Sequence, residues 1–352
     1  MASATLSIAA AADIIKAGGL VAFPTETVYG LGADASSDAA VAKIFVAKGR
    51  PADHPLIVHV AHAAAAEQFA ATIPEFARKL CAAFWPGPLT VIVPRRAGVA
   101  TASAGGQNSI GLRCPAHPMA LEFLQACAAR GVHGLAAPSA NKFGKVSPTT
   151  AQHVRDEFGD KFGDEFSNQP GVDLPVLDGG ACDVGIESTI VDCTRGAPVL
   201  LRPGVLGTQQ LEAAMGCKLL SNTQLLEQDL PGLQGDLALN LNTPRASGTL
   251  PSHYAPNARL RLMDAKALQT ALNLLGEDAA HMAVYSRVVL VSKSTRLVRR
   301  RMPDDALATA QQLFAVLRTF DAQGVKLIWV ETPPDDSAWD GVRDRLQRAA
   351  AH

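Results

Sequence analysis

The stretch Gly19-Leu-Val-Ala-Phe-Pro-Thr-Glu-Thr-Val-Tyr-Gly-Leu-Gly-Ala-Asp34 decides how the first part of the chain folds. Residues 20–23 form an apolar run of strand length, which Pro24 ends. Two hydroxyls, a carboxylate, a phenol and two glycines follow, and the glycines let the backbone turn and approach a ligand closely. A buried strand that opens into such residues is typical of a ligand-binding loop, although an ordinary strand-to-helix connection explains the pattern equally well.

Composition indicates a folded chain of about two domains. Of its 352 residues, 48% are apolar and 18% are charged, which favours packed cores over disorder. The formal net charge of −1 provides no overall field that would attract nucleic acid or an anionic membrane. Any polyanion must therefore be held by a local patch of cations.

Several features predict a cytoplasmic protein. No apolar stretch is long enough to span a bilayer, and the alanine-rich start, interrupted by Asp13 and Lys16, is more typical of an amphipathic helix than of a signal peptide. The six cysteines are scattered and include no CxxC pair. This spacing argues against a zinc site or a disulfide framework and fits a reducing compartment.

Hydrophobic periodicity, helix caps and breaker residues predict an α/β fold for residues 1–217. Helices are predicted at 7–17, 38–46, 63–70, 74–84, 117–129, 149–158 and 207–215. Strands are predicted at 20–23, 56–60, 89–93, 109–115, 135–137, 174–177, 188–193 and 198–201. Because strands occur in runs as well as singly, we do not expect a simple βαβ repeat.

The character of the sequence changes at residues 218–258, which are rich in Asn, Thr, Gln, Gly and Pro. We predict a linker or a functional lid there. Alternating elements return in 259–352, with strands predicted at 259–263, 282–285, 288–291 and 326–331 and helices at 265–275, 304–321 and 338–350. This pattern predicts a smaller α/β domain with a parallel sheet, and no glycine fingerprint indicates a dinucleotide site in it.

Cations beside hydroxyls and glycines indicate an anionic substrate, of which phosphate is the commonest. Lys48, Arg50, Arg113 and Arg202 all fall at predicted strand ends or turns. Taken singly, each arginine is more simply explained as a solvated or paired surface charge. Only the set as a whole favours a binding site.

No side-chain nucleophile is evident in the sequence. There is no GxxxxGK[ST] loop and no HExxH, and Ser188 lacks the second glycine of a nucleophile elbow. His59, inside an apolar strand, is more typical of a packed core histidine than of a base, and Cys182 has no basic neighbour that would activate it. These absences favour catalysis by positioning and charge neutralisation.

Ordered motifs give the chain a clear resemblance to a known family. They are Phe23-Pro-Thr-Glu-Thr-Val-Tyr-Gly-Leu-Gly32, Lys48-x-Arg50-Pro51, Pro55-Leu-Ile-Val-His59, Trp85-Pro-Gly-Pro-Leu-Thr90, Ser139-x-Asn141 with Ser147-Pro-Thr149, Gly185-Ile-Glu-Ser-Thr-Ile-Val-Asp192, Leu201-Arg-Pro-Gly204 and His253-Tyr-Ala-Pro256. In this order they resemble the YrdC-like family of L-threonylcarbamoyladenylate (threonylcarbamoyl-AMP) synthases, in the long two-domain form. The matches run from residue 8 to about 205 and resume at 247.

The resemblance implies a fold and an activity. The fold is a YrdC-like twisted mixed sheet with flanking helices at 1–217, a linker or lid at 218–258, and a Rossmann-like C-terminal domain at 259–352. The activity is that of a nucleotidyltransferase which joins L-threonine, bicarbonate and ATP into threonylcarbamoyl-AMP and pyrophosphate. That product would supply the threonylcarbamoyl group of a modified adenosine beside the tRNA anticodon, through a downstream transferase complex. Mg²⁺ would accompany ATP, with no metal ligand set of the chain's own and no tightly bound organic cofactor.

The same resemblance assigns site residues. Threonine contacts fall to Thr27, His59, Arg113, Ser188 and the backbone of Ala137. ATP contacts fall to Arg50, His54, Ser109, Ser139, Asn141, Ser147, Arg202 and Tyr254. Lys48 and Arg50 would act in catalysis, while Glu26 is expected to brace its loop. His54 departs from the family, which often has Asn at that place, although a neutral imidazole also donates a hydrogen bond.

Two other functions remain open at this stage. An RNA-binding module could use the sheet and the basic run Arg296-Leu-Val-Arg-Arg-Arg301, although the near-neutral charge makes a solvated face the simpler explanation and any tRNA contact weak or indirect. A third hypothesis is a carbamoyl-adenylate transferase that acts on a maturation partner. The related hydrogenase-maturation enzymes carry acylphosphatase-like and zinc-finger regions, and this sequence contains neither.

Overall fold

A computed structural model describes residues 6–159, 174–221, 224 and 243–351. Over these residues the helices are α1 Ile8–Lys16, α2 Asp38–Lys48, α3 Glu75–Phe84, α4 Pro118–Ala128, α5 Ala151–Phe158, α6 Thr208–Met215, α7 Ala265–Leu275, α8 Ala306–Ala322 and α9 Asp340–Ala350. The strands are β1 Val21–Phe23, β2 Gly30–Asp34, β3 Ile57–His59, β4 Leu89–Pro94, β5 Ser109–Arg113, β6 Leu135–Ala136, β7 Thr189–Asp192, β8 Val199–Arg202, β9 Arg259–Met263, β10 Met282–Ser286, β11 Val298–Arg301 and β12 Leu327–Glu331.

The larger sheet is mixed, as predicted. Over the described residues, eight strands pair in the order β1-β2-β6-β3-β5-β4-β7-β8. The β3–β5 and β4–β7 pairs are parallel and the other neighbours are antiparallel. Neighbouring residues of β1 enter different apolar clusters: Val21 packs with α1 and α4, while Ala22 packs with α2 and α3. Since successive strand residues point to opposite faces, helices cover both sides of this sheet.

The opening stretch forms a hairpin, where the sequence had predicted one strand followed by a loop. Gly30–Asp34 is a second strand, paired antiparallel with Val21–Phe23 so that Gly32 lies opposite Val21. A Cβ on Gly32 would lie 2.9 Å from the Phe23 ring, so the glycine makes room for that ring. The connecting residues 24–29 hold the polar side chains that the sequence had assigned to a ligand-binding loop.

Helix α2 shows how local signals place functional residues. The Ser37 hydroxyl accepts a hydrogen bond from the Ala40 backbone at its start, and Gly49, at φ 62°, ends it in the left-handed conformation. Lys48 is therefore the last helical residue, and Arg50 lies just beyond the turn. The two cations thus lie close together at the C-terminal end of the helix.

The C-terminal sheet is parallel, as predicted. Within residues 243–351, four strands pair in the order β11-β10-β12-β9, and every pairing is parallel. Met282 and Val284 pack with α7, whereas Ala283 and Tyr285 pack with α8 and α9. Helices therefore lie on both faces, which is the Rossmann-like arrangement.

Two further element predictions were wrong, and a third segment is helical but of a different type. Residues 288–291 are not a strand; the edge strand is Val298–Arg301, a part of the basic run. Residues 174–177 contribute only an isolated bridge from Val176 to Ala22, and the predicted helix 63–70 is a 3₁₀ helix over Ala63–Gln68. In the first case, pairing with β10 rather than local apolar content decides which segment is a strand.

The C-terminal helices pack against loops of the first domain. Val28, Val146 and Ile186 belong to the same apolar cluster as α8 and α9. Gly185, at φ +79°, lies so close to α8 that a Cβ would be 2.3 Å from the carbonyl oxygen of Gln311. The second domain thus contacts loops that continue into the cavity described next.

Candidate active site

One cavity brings together side chains from strand ends, from the loops beside them and from the segment that precedes β9. Among the described residues, its lining consists of Thr25, Val28, Gly30, Arg50, Ile57, His59, Arg113, Ala137, Pro138, Ser139, Glu187, Ser188, Arg202, Ser247, Gly248, His253 and Tyr254. Site residues predicted for threonine and for ATP therefore meet in one place. They are Arg50, His59, Arg113, Ala137, Ser139, Ser188, Arg202 and Tyr254.

The sheet itself positions one side of the cavity. His59 and Arg113 are register partners at the ends of β3 and β5, and the Ala137 backbone N–H donates to the Ile57 carbonyl at 2.9 Å. Burial and then Arg113 lower the pKa of His59 to about 3, so its ring is neutral near pH 7 and is a poor base. Its Nδ1 is buried without a hydrogen-bond partner among the described atoms, leaving one polar group open to a ligand.

Glu26 braces its loop, as the sequence predicted. Its Oε1 accepts from the Arg113 guanidinium at 2.7 Å, and its Oε2 accepts from the Ala116 backbone N–H at 2.9 Å. Arg113 also donates from Nε to the Gly87 carbonyl at 3.3 Å. Arg113 is thus a neutralised, fixed cation rather than a free one.

Two arginines form the most cationic part of the cavity. Arg50 donates to the Pro55 carbonyl at 2.9 Å and to the Ser247 hydroxyl at 3.2 Å. Arg202 donates to the Ser188 carbonyl at 2.9 Å and to the Ser247 carbonyl at 2.8 Å. Both are under a tenth exposed, and within the described parts of the chain neither forms an ion pair with a carboxylate. Burial lowers the pKa of Arg50 to about 10 and lowers that of Arg202.

Lys48 and Asn141 lie behind the cavity rather than on its surface. Lys48 donates from Nζ to the backbone carbonyls of Ser139 and Asn141. Asn141 donates from Nδ2 to the carbonyls of Lys142 and Lys145, so the two side chains together fix the loop that carries Ser139. Burial, followed by the nearby Arg50, lowers the pKa of Lys48 well below its ordinary value.

The other predicted residues that do not line the cavity differ in their surroundings. Thr27 is fully buried, with its hydroxyl 2.8 Å from that of Thr25. His54 is half-buried with its ring edge-on to Phe143, and Ser109 is half-buried at the start of β5. Ligand contacts for these residues, and for Ser147, which does not line the cavity either, stay predictions.

Glu187 is a lining residue that the sequence analysis did not single out, although it lies within the Gly185–Asp192 motif. Its Oε1 accepts from the Ser147 hydroxyl, and its Oε2 accepts from Arg345 Nε at 2.8 Å. Burial alone would raise the pKa of this carboxyl, but Arg345, Arg202 and the Ser147 hydrogen bond hold it below the ordinary value. Glu187 is therefore a buried, ionised group beside the cationic part of the cavity. Its main partner lies 158 residues away, so spacing gives no signal for the pair.

The segment 247–254, which we call the strap, closes the cavity. The motif resemblance predicted a ligand contact there for Tyr254 alone, yet Ser247, Gly248 and His253 also line the cavity. Gly248 adopts φ +74°, and a Cβ on it would lie 2.2 Å from the Tyr254 hydroxyl. With the strap in this position the cavity has room for only a few water molecules.

Other candidate features lie elsewhere. Arg299, Arg300 and Arg301 are exposed on β11 and line no part of the cavity. Burial raises the pKa of the Cys182 thiol to about 12, in keeping with an unreactive cysteine. Among the described residues, no group of His, Cys, Asp and Glu side chains could hold a metal ion by itself. A search of the same residues finds no helix with the length and apolar character of a membrane span.

Fold and site together define a two-domain α/β enzyme with a buried, cation-lined pocket. Comparisons with known protein families identify which class of enzyme this is. A family model described as "Telomere recombination" (Sua5, YciO and YrdC) matches residues 13–204, and the model "Threonylcarbamoyl-AMP synthase, C-terminal domain" matches residues 208–351. The chain therefore belongs to the threonylcarbamoyl-AMP synthase family, in its two-domain form.

Individual relatives agree with this assignment over nearly the whole chain. A threonylcarbamoyl-AMP synthase of Pyrococcus abyssi is 35% identical, over 97% of this chain and 93% of the relative. The Bacillus subtilis protein of that name is 33% identical, over 97% and 92%. The crystal structure of P. abyssi Sua5 complexed with L-threonine superimposes with a TM-score of 0.81 at 35% identity, covering 97% of this chain and 94% of that one.

Proposed function

We propose that the protein converts L-threonine, bicarbonate and ATP into L-threonylcarbamoyl-AMP and pyrophosphate. The observation that carries this proposal is the pair of buried guanidinium groups of Arg50 and Arg202, which face one cavity with only neutral partners. Buried cations are stable when they are paired with an anion. Because no carboxylate neutralises these two guanidinium groups, a bound anion would stabilise them. A polyphosphate is a suitable anion, because planar guanidinium groups bind phosphate oxygens in pairs.

The part of the cavity around His59, Arg113 and Ser188 suits an amino acid. The solved relative is described as complexed with L-threonine, and here the neutral His59 ring, the Ser188 hydroxyl and the Glu26-braced Arg113 face the cavity. Thr90 holds the Ser188 hydroxyl at 2.7 Å, so its position is fixed before a ligand arrives. A small polar substrate with a carboxylate and a hydroxyl would find matching donors and acceptors there.

The reaction needs positioning and charge neutralisation more than acid–base groups. Bicarbonate gives carbon dioxide, the threonine amine adds to its carbon with loss of a proton, and the hydroxide and proton released leave as water. The resulting carbamate oxygen forms a bond to the α-phosphorus of ATP as the bond to pyrophosphate breaks. Arg50 and Arg202 would stabilise the negative charge that grows on the departing pyrophosphate. Lys48 would act indirectly, by holding the Ser139 and Asn141 carbonyls.

Mg²⁺ would enter the site with ATP. Glu187 is the only acidic side chain among the described residues that line the cavity, and it is already bound by Ser147 and Arg345. Phosphate oxygens and water would therefore supply most of the ligands, as Mg²⁺ prefers. The product would pass to a threonylcarbamoyl-transferase complex in the cytoplasm, with tRNA contacted weakly or not at all by this chain.

Omission of single substrates tests the function. Purified protein with ATP, Mg²⁺, threonine and bicarbonate should release pyrophosphate, and release should fall to background when either threonine or bicarbonate is left out. Replacing threonine by valine, which has a similar shape without the hydroxyl, is the matched control and should reduce the rate strongly. Pyrophosphate release that does not depend on both co-substrates would refute the proposed reaction.

A further inference from the structure

Arg345 connects the C-terminal domain to the cavity. It lies on α9 and is 1% exposed, although an arginine is among the residues least often buried. Its guanidinium donates to the Glu187 carboxylate at 2.8 Å, to the Glu187 carbonyl at 3.1 Å and to the Pro203 carbonyl at 2.7 Å. These three acceptors belong to the first domain, while a fourth, the Asp344 carboxylate at 2.8 Å, lies on α9 itself. Most of the hydrogen bonds of the guanidinium therefore cross the domain interface.

These acceptors adjoin the groups assigned to ATP. Glu187 lines the cavity, and Pro203 directly follows Arg202. The Arg345 guanidinium carbon also lies 5.2 Å from the centre of the Tyr254 ring, at the end of the strap. One side chain thus contacts the carboxylate, the chain beside the phosphate-binding arginine and the closing segment.

Arg345 neutralises the negative charge of the Glu187 carboxylate beside the cavity. Glu187 is ionised and faces a cavity proposed to receive a polyphosphate, which would repel it. Among the described residues, the carboxylates that bind Arg345 are those of Glu187 and Asp344, and the Glu187 carboxylate also accepts a hydrogen bond from the Ser147 hydroxyl. Without Arg345, the carboxylate would be left with a neutral donor, and Arg202, the lining cation whose charge already helps to lower the pKa of Glu187, could pair with it.

We propose that Arg345 is a positioning residue for ATP: it holds the Glu187 carboxylate on the domain interface and thereby leaves Arg202 free for the phosphates. The inference rests on the proposed function. It makes the C-terminal domain a contributor to nucleotide affinity and adds to the role of the strap as a cover.

A second-site rescue tests this inference. In Arg345→Met, the KM for ATP and the Kd of a non-hydrolysable ATP analogue should rise at least about tenfold, with a smaller change in the KM for threonine. Adding Glu187→Gln to that variant removes the repelling charge and should restore most of the ATP affinity. Loss of packing alone would not be corrected in this way. Arg343→Met is the matched control, because Arg343 lies on the same helix and, among the described residues, its hydrogen bonds and ion pairs go to Pro334, Asp335, Asp336 and Asp340.

Each other outcome overturns the inference. An Arg345→Met variant with unchanged ATP affinity, or a double variant as weak as Arg345→Met, would show that the carboxylate charge is not what Arg345 controls. Should Arg345→Met fail to fold, Arg345→Lys and its Glu187→Gln double variant give the same comparison, with a smaller first loss. Analogue binding separates the two proposals, because a wild-type protein that binds the analogue without releasing pyrophosphate would refute the reaction alone.

Discussion

At the scale of single residues, the site is marked by cations whose partners are neutral. Arg50 and Arg202 bind carbonyl and hydroxyl oxygens, whereas Arg113 and Arg345 bind carboxylates. A carbonyl satisfies a guanidinium hydrogen but does not neutralise its charge. Arg50 and Arg202 therefore carry positive charges that a bound anion would neutralise, whereas Arg113 and Arg345 are already neutralised by carboxylates and held in place by them.

Arg50→Ala should lower pyrophosphate release at least about 100-fold, because the departing pyrophosphate would lose a preorganised donor. The kcat/KM for ATP is the quantity to measure. Arg78→Ala is the control, since Arg78 is half-exposed and pairs with Glu67 on the surface, and it should leave the rate unchanged. Near-normal kcat/KM in Arg50→Ala would remove Arg50 from its assigned role.

His253 should make the protein sensitive to acid. Burial is the main cause that lowers the pKa of His253 to about 3, whereas an unfolded histidine titrates near 6.5. Below about pH 6.5 the unfolded chain binds a proton that the folded protein excludes, so the free energy of unfolding falls as the pH drops toward 3.

His253→Gln should remove about 1.4 kcal/mol of this loss for each pH unit between about 6 and 4. Urea titrations at several pH values measure the slope. His133→Gln, at an exposed position, is the control and should keep the wild-type slope. An equal slope in all three proteins would contradict the burial of a neutral His253 ring.

The role of a single residue could be predicted from the sequence where the residue lies in a motif with several other polar side chains, as Glu26 does. The loop-bracing role of Glu26 was confirmed by its contacts with Arg113 and Ala116. The Glu187–Arg345 pair could not be predicted, since the two residues lie in different domains and neither spacing nor composition relates them.

At the scale of elements, the errors have a common physical cause. Residues 288–291 were predicted as a strand from their apolar content, yet Val298–Arg301 pairs with β10. Likewise, Gly30–Asp34 is a strand although glycine disfavours strands, because its glycines make room for the Phe23 ring. Hydrogen bonding to a neighbouring strand determines both, and that neighbour is not visible in a local window.

Gly185 tests the close packing between α8 and the loop before β7. Gly185 and Gly196 both have positive φ, at +79° and +78°, so alanine strains the backbone at either position. Only at Gly185 would the Cβ meet another backbone, 2.3 Å from the Gln311 carbonyl oxygen. Gly185→Ala should therefore destabilise the protein by about 1–3 kcal/mol more than Gly196→Ala. Thermal unfolding measures this, and equal losses would contradict the tight interface.

At the scale of the whole molecule, the C-terminal domain takes part in the site. From the sequence, residues 218–258 were predicted to form a linker or lid, with Tyr254 as the one ligand contact beyond residue 217. In the structure the strap lines the cavity, and α9 supplies Arg345. The boundaries of the catalytic domain at 217 and of the linker at 258 stay predictions.

Net charge and the position of the basic run predict little direct binding of tRNA. Replacing Arg299, Arg300 and Arg301 by serine should leave pyrophosphate release unchanged, because these exposed residues lie on an edge strand and line no part of the cavity. A tRNA titration at several salt concentrations should show no change in affinity or salt slope. A clear loss of affinity would instead support an RNA-binding surface on β11.

The central claim is that one cavity holds both threonine and the phosphates of ATP. A crystal structure with L-threonine and a non-hydrolysable ATP analogue tests it most directly. We predict phosphate oxygens within hydrogen-bond distance of Arg50 and Arg202, threonine beside Arg113 and Ser188, and a displaced strap. Phosphates bound away from both arginines, or threonine in a separate cavity, would contradict the account.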